Sequence, residues 1–494
     1  MIPPRGPVGG DPAAPGPAPA SPRWTVGQIA GWVGGEVLRG DPGAPVAGFR
    51  HDSRQVQPGD CFVALPGART DGHLHVPAAA AAGAACALVA RDVPGVPPGM
   101  ALIRVPDPLL ALGSAAARHR QQFPVRVAAV TGSVGKTTTK DLVWAVLSRR
   151  YRTLRNPGNL NSEVGLPLAI LNGLGPEHGA AVLEMAMRGP GQIAYLASIA
   201  RPEVGVVTCV APVHLELLGT IENIARAKAE LVQALPADGV AILNGDDPRV
   251  AAMAAAHPRR VVYYGKVARG TEFVALEGAE PAPPPPGGLG AQRLRVRSHA
   301  GQAQVYLPVP GEHVALDALA ALAAGLVMGL SLEEAAEGLS TVDPGEFRMR
   351  LVETGGVRIL DDTYNASPAS VKAALAVLAR SGQGRRTAIL GDMFELGALA
   401  AAAHREVGQA AAAAADVLVA VGELARGYAE GAREAGLAEV HHFVDRQAAL
   451  AALAGLVQPG DTVLVKGSRG MRMEEFVERL RLLFGGPGPG GSAA

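Results

Sequence analysis

Short apolar runs alternate with longer mixed stretches along most of the chain. Between about 108 and 343, the runs at 125–130, 180–183, 204–208 and 240–243 are apolar or β-branched, and helix-like stretches separate them. Strands covered by helices on both faces read as continuous apolar runs, so this rhythm predicts βα units and a parallel sheet. The rhythm returns from about 344 to 484, with strands expected at 358–360, 387–390, 417–421 and 462–465. The block from about 24 to 107 mixes shorter runs such as 61–65 with Gly/Pro turns and an Ala-rich helix. The predicted fold class is α/β, in three consecutive domains at 24–107, 108–343 and 344–484. Residues 1–23 and 485–494 offer too few apolar side chains to offset chain entropy and read as disordered tails. The Pro-rich stretch 280–290 is expected to be an exposed loop between strands at 261–264 and 294–296. No short-period repeat is present.

Composition narrows the class. The 494 residues suit about three domains, and 48% hydrophobic content suffices for several cores. Aromatics supply only 4%, so those cores must be built from Ala, Val and Leu. Lys plus Arg equals Asp plus Glu at 45 each, with no dense basic run, which argues against nucleic acid as a partner. Cys61, Cys86 and Cys209 form no CxxC pair, as fits a reducing compartment. The N-terminal stretch lacks the apolar core of a signal peptide. The longest uncharged apolar stretches, 76–90 and 318–332, fall short of the roughly 18 residues that suggest a spanning helix. The expectation is a cytoplasmic, non-spanning monomer.

The sharpest chemistry is Thr131-Gly132-Ser133-Val134-Gly135-Lys136-Thr137-Thr138-Thr139, placed between an apolar strand and a helical stretch that runs through Trp144 and Leu147. A glycine-rich turn there lets backbone N–H groups converge on phosphate oxygens at the positive end of a helix dipole. Lys136 would neutralise the β/γ-phosphates, and the Thr137 hydroxyl would coordinate Mg²⁺. The longer GxxxxGK[ST] pattern is not met, because Val130 stands five residues before Gly135. ATP is the expected ligand. Glu184 follows one predicted strand and His214 the next, with Lys228 in a helical segment at 221–235. Taken singly, these read as a helix cap, a loop histidine and a solvated lysine. Beside a phosphate loop, at the carboxyl ends of parallel strands, they read together as a second cation site.

At this point the chain resembles the Mur ligase family, within it the branch that adds D-alanyl-D-alanine to a UDP-N-acetylmuramoyl tripeptide. The resemblance runs from about Trp24 to Leu483. It rests on Asp52-Ser53-Arg54, Asp71-Gly72-His73, the phosphate loop, Gly158-Asn159-Leu160-Asn161, and Ala227-Lys228-Ala229-Glu230. It rests further on Asn244-Gly245-Asp246-Asp247, Arg348-Met349, Asp361-Asp362-Thr363-Tyr364-Asn365-Ala366-Ser367-Pro368 and Val465-Lys466-Gly467-Ser468-Arg469-Gly470-Met471. The resemblance implies a UDP-binding first domain, a central ATP-binding domain and a Rossmann-like third domain. It implies two Mg²⁺ ions, one with Thr137 and one held by Glu184, His214 and a carbamylated Lys228. It implies nucleotide contacts from Asn244, Arg348 and Asp362. Substrate contacts are implied for Ser53, Arg54, Asp71, Asn159, Asn161, Asn365, Lys466, Ser468 and Arg469. Ala186, Cys209, Ser162, Val314 and Asp317 depart from the family pattern and bear on local geometry rather than on the reaction.

The reaction so implied activates a carboxylate as an acyl phosphate, which an amine then attacks. The C-terminal domain is expected to rotate onto the central one and exclude water. Competing readings are a ligase that adds the third residue, a folylpolyglutamate synthase, and a phosphate-loop switch that hydrolyses ATP without ligation. Whether the tripeptide ends in lysine or diaminopimelate is not encoded in any motif.

Overall fold

The computed structural model describes residues 23–67, 70–213, 215–256, 260–286, 288–344, 349–381 and 384–485. The expected tails fall outside these, apart from Arg23 and Gly485, as do His214 and Arg348. Two compact units emerge. One holds the residues up to Phe123 together with Glu163–Leu174, and the other holds Pro124–Ser162 and Gly175 onward.

The first unit is built on a five-stranded sheet in the order Glu36–Arg39, Ala101–Arg104, Cys86–Val89, Asp60–Val63, Gly48–Arg50. All neighbours are parallel except the first pair. Helices Pro108–Arg120 and Gly165–Gly173 belong to this unit. Asp107 caps the first of them, accepting from Leu109 N and Leu110 N ahead of Pro108. An aromatic group closes the unit: Trp24 Nε1 donates to His119 Nδ1 at 3.3 Å, and His119 Nε2 meets Leu174 O at 3.0 Å. With Nδ1 accepting, Nε2 carries the proton. Burial, aided by the Arg23 charge, pushes this imidazole down to about 4.

The second unit carries two sheets. The larger has nine strands, in the order Gly301–Leu307, Ala291–Ser298, Phe273–Ala282, Val261–Gly265, Val240–Asn244, Val204–Val207, Arg126–Thr131, Ala180–Glu184, Thr153–Arg155. From Phe273–Ala282 through to Thr153–Arg155 every pairing is parallel, and the outer two pairings are antiparallel. The antiparallel extension corrects the expected loop at 280–290. Strand Phe273–Ala282 takes in Glu280 and Pro281, and its partner starts at Ala291. Pro281 is tolerated because it lies exposed near the strand end, past an irregularity in register between Leu276 and Gly278. The core beneath this sheet is mostly Val, Leu and Ala, joined by Ile242, Tyr264 and Met328, with helix Glu312–Val327 buried along nearly its whole length. Small side chains let that helix lie close to its neighbours, which is how a chain poor in aromatics packs densely.

The smaller sheet has six strands, in the order Arg350–Thr354, Val357–Asp362, Thr462–Lys466, Arg386–Gly391, Val417–Val421, Glu439–Phe443. It is parallel apart from its first pair. All four strands expected in each of the last two blocks are present, with ends within two residues of those expected.

Candidate active site

The phosphate loop leaves the carboxyl end of Arg126–Thr131, a central strand of the nine-stranded sheet, and enters helix Lys136–Leu147. Gly132 and Gly135 have φ of +152° and +85°. A Cβ on Gly132 would stand 1.8 Å from Thr208 Oγ1, so only glycine lets the loop pass that neighbour. The loop is stapled to the next strand's exit: Ser133 N donates to Cys209 O at 2.8 Å, and Thr208 Oγ1 donates to Val134 O at 2.6 Å. Lys136 Nζ donates to Gly132 O at 3.0 Å and Ser133 O at 3.2 Å. Thr138 lies half-buried in the helix's first turn.

Glu184 is the last residue of the adjacent strand and fully buried. Its Oε2 accepts from Thr137 Oγ1 at 2.8 Å and its Oε1 from Asn161 Nδ2 at 2.6 Å. Phosphate-loop hydroxyl, strand-end carboxylate and loop amide thus meet at one point. Asn159 does not join them; it is exposed, and its carbonyl accepts from Asn161 N. Lys228, on helix Ile221–Gln233, is 2% exposed. Burial, then the Lys136 charge, holds its amine well below the usual lysine range. That rules out the solvated-helix reading of Lys228. Asn244 ends the strand on the other side, donating to Thr208 O at 2.9 Å and accepting from Asp246 N at 3.0 Å. The oxygen donors Thr137 and Glu184 suit Mg²⁺, which prefers hard ligands.

In the six-stranded sheet, Asp362 and Lys466 end adjacent strands, and Lys466 Nζ donates to Asp362 Oδ2 at 2.7 Å and to Asn365 O at 2.8 Å. Ser468 Oγ accepts from Phe394 N at 2.8 Å. Arg469 is largely exposed, with Glu474 at 3.7 Å. In the first unit, Ser53 opens a short 3₁₀ turn that Asp52 caps. Arg54 folds back onto Asp52 through Nε and Nη2 at 2.9 and 2.7 Å, which holds that carboxyl down at about 2. Asp71 accepts from Arg91 at 2.5 Å and from His73 Nδ1 at 2.6 Å, so its carboxyl lies far below the usual range.

Three contributors escaped the sequence reading. Asn156 is fully buried and brackets Glu184: its Oδ1 accepts from Glu184 N at 2.9 Å, and its Nδ2 donates to Glu184 O at 3.2 Å and Leu160 O at 2.8 Å. Lys140 Nζ donates to Asn156 O at 3.0 Å. Thr208 anchors the loop as described. Asn156 stands three residues before Asn159, and Lys140 directly follows the Thr131–Thr139 run, so proximity to a motif was the available signal.

A parallel sheet whose central strand feeds a glycine-turned phosphate loop, beside a strand-end carboxylate, defines an ATP-using α/β protein. Comparison with known proteins takes this further. The chain matches the Mur ligase middle domain over residues 130–325, the Mur ligase glutamate ligase domain over 347–469, and the Mur ligase family catalytic domain over 45–120. It is 36% identical over 453 residues to the UDP-N-acetylmuramoyl-tripeptide–D-alanyl-D-alanine ligase of Bacillus subtilis (strain 168), spanning 88% of this chain and 93% of that one. The crystal structure of MurF from Acinetobacter baumannii superposes with a TM-score of 0.84 at 32% identity, covering 94% of this chain and all of the other. MurF from Thermotoga maritima in complex with ADP gives 0.75 at 28% identity, covering 88% and 97%. The chain belongs to the Mur ligase family.

Proposed function

We propose that this protein joins D-alanyl-D-alanine to UDP-N-acetylmuramoyl tripeptide at the expense of ATP, making the pentapeptide precursor of peptidoglycan. The observation that carries the reading is near end-to-end similarity to a relative of that activity, with the Thr137–Glu184–Asn161 cluster intact beside the phosphate loop. No described helix is long and apolar enough to cross a membrane, and we place the reaction in the cytoplasm.

A carboxylate resists attack by an amine in water. Transfer of the γ-phosphoryl group to the tripeptide's terminal carboxylate gives an acyl phosphate, whose phosphate then leaves as the amine adds. Lys136 is assigned to neutralise charge developing on the transferred group, and the loop N–H groups to receive the remaining phosphates. Thr137 would hold one Mg²⁺ and Glu184 a second, and such ions, when bound, draw charge from the phosphoryl oxygens. His214, outside the described residues, is assigned to the second ion by family resemblance alone, as Arg348 is to the nucleotide.

Lys228 is the candidate carbamate. Its depressed basicity favours the neutral amine, which adds to CO₂ with loss of one proton, and the product would set an anionic oxygen ligand beside the Lys136 cation. Asn244 and Asp362 are assigned to the nucleotide. Ser53, Arg54 and Asp71 are assigned to the UDP-sugar end, and Asn161, Asn365, Lys466, Ser468 and Arg469 to the peptidyl substrates. Functional domains with boundaries near 107 and 343, acting in a monomer, match these three ligands.

Phosphate release and product mass, measured with ATP, Mg²⁺, UDP-muramoyl tripeptide and D-alanyl-D-alanine, test the reading. A UDP-muramoyl pentapeptide formed only with all components present is the expected result. Consumption of a UDP-muramoyl dipeptide with a diamino acid instead would overturn it.

A further inference from the structure

Asp317 lies on helix Glu312–Val327, buried against the phosphate loop, and no step above uses it. Its Oδ1 accepts the Thr139 hydroxyl at 2.9 Å, and the same oxygen lies 2.7 Å from where a Cβ on Gly135 would stand. One carboxyl therefore touches both the left-handed residue that ends the loop and the first turn of the helix behind it. A carboxylate buried without a cation is strongly disfavoured.

Among the described residues, none of the groups around Asp317 forms an ion pair with it, while Lys136 and Lys228 act on Cys209 beside it. Cys209, beyond strand Val204–Val207, and Tyr264, on strand Val261–Gly265, both feel its charge, and burial raises both so that they stay uncharged near neutrality. On helix Lys136–Leu147, Lys136 turns to Gly132 O and Ser133 O, Lys140 to Asn156 O, and Asp141 to Arg155. Among the described residues no cation is hydrogen-bonded to Asp317. Burial pushes its carboxyl up to about 8, with the Thr139 bond opposing the rise. Phosphate oxygens delivered to the loop would add negative charge across the same few ångströms of low-dielectric protein.

We propose that Asp317 is a positioning residue for the phosphate loop that works as a neutral acid, so that nucleotide binding takes up a proton in alkaline solution. The proposal rests on the ATP site described above.

Calorimetric titration with ADP, without Mg²⁺ so that the metal site is silent, tests it on the intact protein. Runs at pH 8.5 in two buffers of different ionisation enthalpy count the protons. Wild type is expected to take up about 0.8 proton per ADP, and its Kd is expected to rise about tenfold between pH 7 and pH 9. Asp317→Asn, which keeps an acceptor for Thr139 and cannot ionise, is expected to keep the pH 7 affinity, lose the proton uptake and show no alkaline rise. Asp317→Leu is expected to bind more weakly at every pH. Absence of proton uptake in wild type, or equal uptake in Asp317→Asn, would overturn the proposal, and the wild-type arm needs no variant to fold. Failure of wild type to bind ADP at any pH would instead bring down the nucleotide site itself, and the proposal with it.

Discussion

Replacing Asn156 with Ala is expected to damage the site without touching any substrate. The side chain is fully buried and makes three hydrogen bonds, at 2.8, 2.9 and 3.2 Å, two of them to the backbone of Glu184. Truncation leaves the Glu184 N–H, the Glu184 carbonyl and the Leu160 carbonyl without that partner. Each buried group so orphaned costs about 1–3 kcal/mol, and a water entering the vacated amide space recovers part of it. A loss of about 3–5 kcal/mol from the second unit is the expected sum. The carboxylate of Glu184 would also lose its aim, and a displacement of about 1 Å at a reacting centre lowers turnover by roughly a hundredfold. Urea unfolding and the Mg²⁺ dependence of phosphate release would measure the two effects. Asn156→Asp is a sharper control. It keeps the acceptor for Glu184 N but sets a carboxylate oxygen against two carbonyls, which raises its folded-state pKa above the unfolded one. Its stability should therefore improve as pH falls from 8 to 5. Unfolding of Asn156→Ala within about 1 kcal/mol of wild type, with an unchanged Mg²⁺ requirement, would refute the reasoning.

Gly135→Ala forces a side chain into φ +85° and against Asp317, so ATP-dependent turnover should fall at least tenfold while the far-ultraviolet circular dichroism stays unchanged. His119 is neutral in the folded state, with its pKa lowered to about 4 by burial. Its contribution is complete above the unfolded value near 6.5 and fades as pH falls toward 4, a loss of about 3 kcal/mol. Emission from Trp24 and Trp32 during unfolding at pH 7.5 and 4.5 should show that loss, and His119→Gln should flatten it. Lys228→Ala should abolish ligation and regain activity with added short carboxylic acids; full activity without them would sink the carbamate assignment. Scattering with ATP and the UDP substrate should show a smaller radius of gyration than the free protein, and an unchanged radius would count against closure.

The parts legible in advance were those written in local pattern. Parallel strands buried on both faces leave continuous apolar runs, and 417–421 was found to the residue. The phosphate loop was equally plain, because the same glycines that allow its backbone also spell the motif. Phe273–Ala282 and Gly301–Leu307 went unread, since their polar positions and the Pro-rich stretch beside them resemble loop sequence. Asn156 was invisible as a site residue for a different reason, which also left Asp317 readable only as a departure from the family pattern. Each acts through a partner distant in sequence, Glu184 or Thr139, and only the folded sheet brings them together.

The brief excursion of Glu163–Leu174 into the first unit has a consequence for how the chain is made. Asn172 exchanges hydrogen bonds with the backbone of Phe49, Arg23 reaches Leu171 O, and His119 reaches Leu174 O. During synthesis these partners emerge only after Thr131–Thr139 has already left the ribosome. The leading segment must wait, incompletely closed, while the ATP-binding segment begins to appear. A fragment cut at Phe123 would lack the stitch that finishes it, so closure of the first unit follows the order of translation.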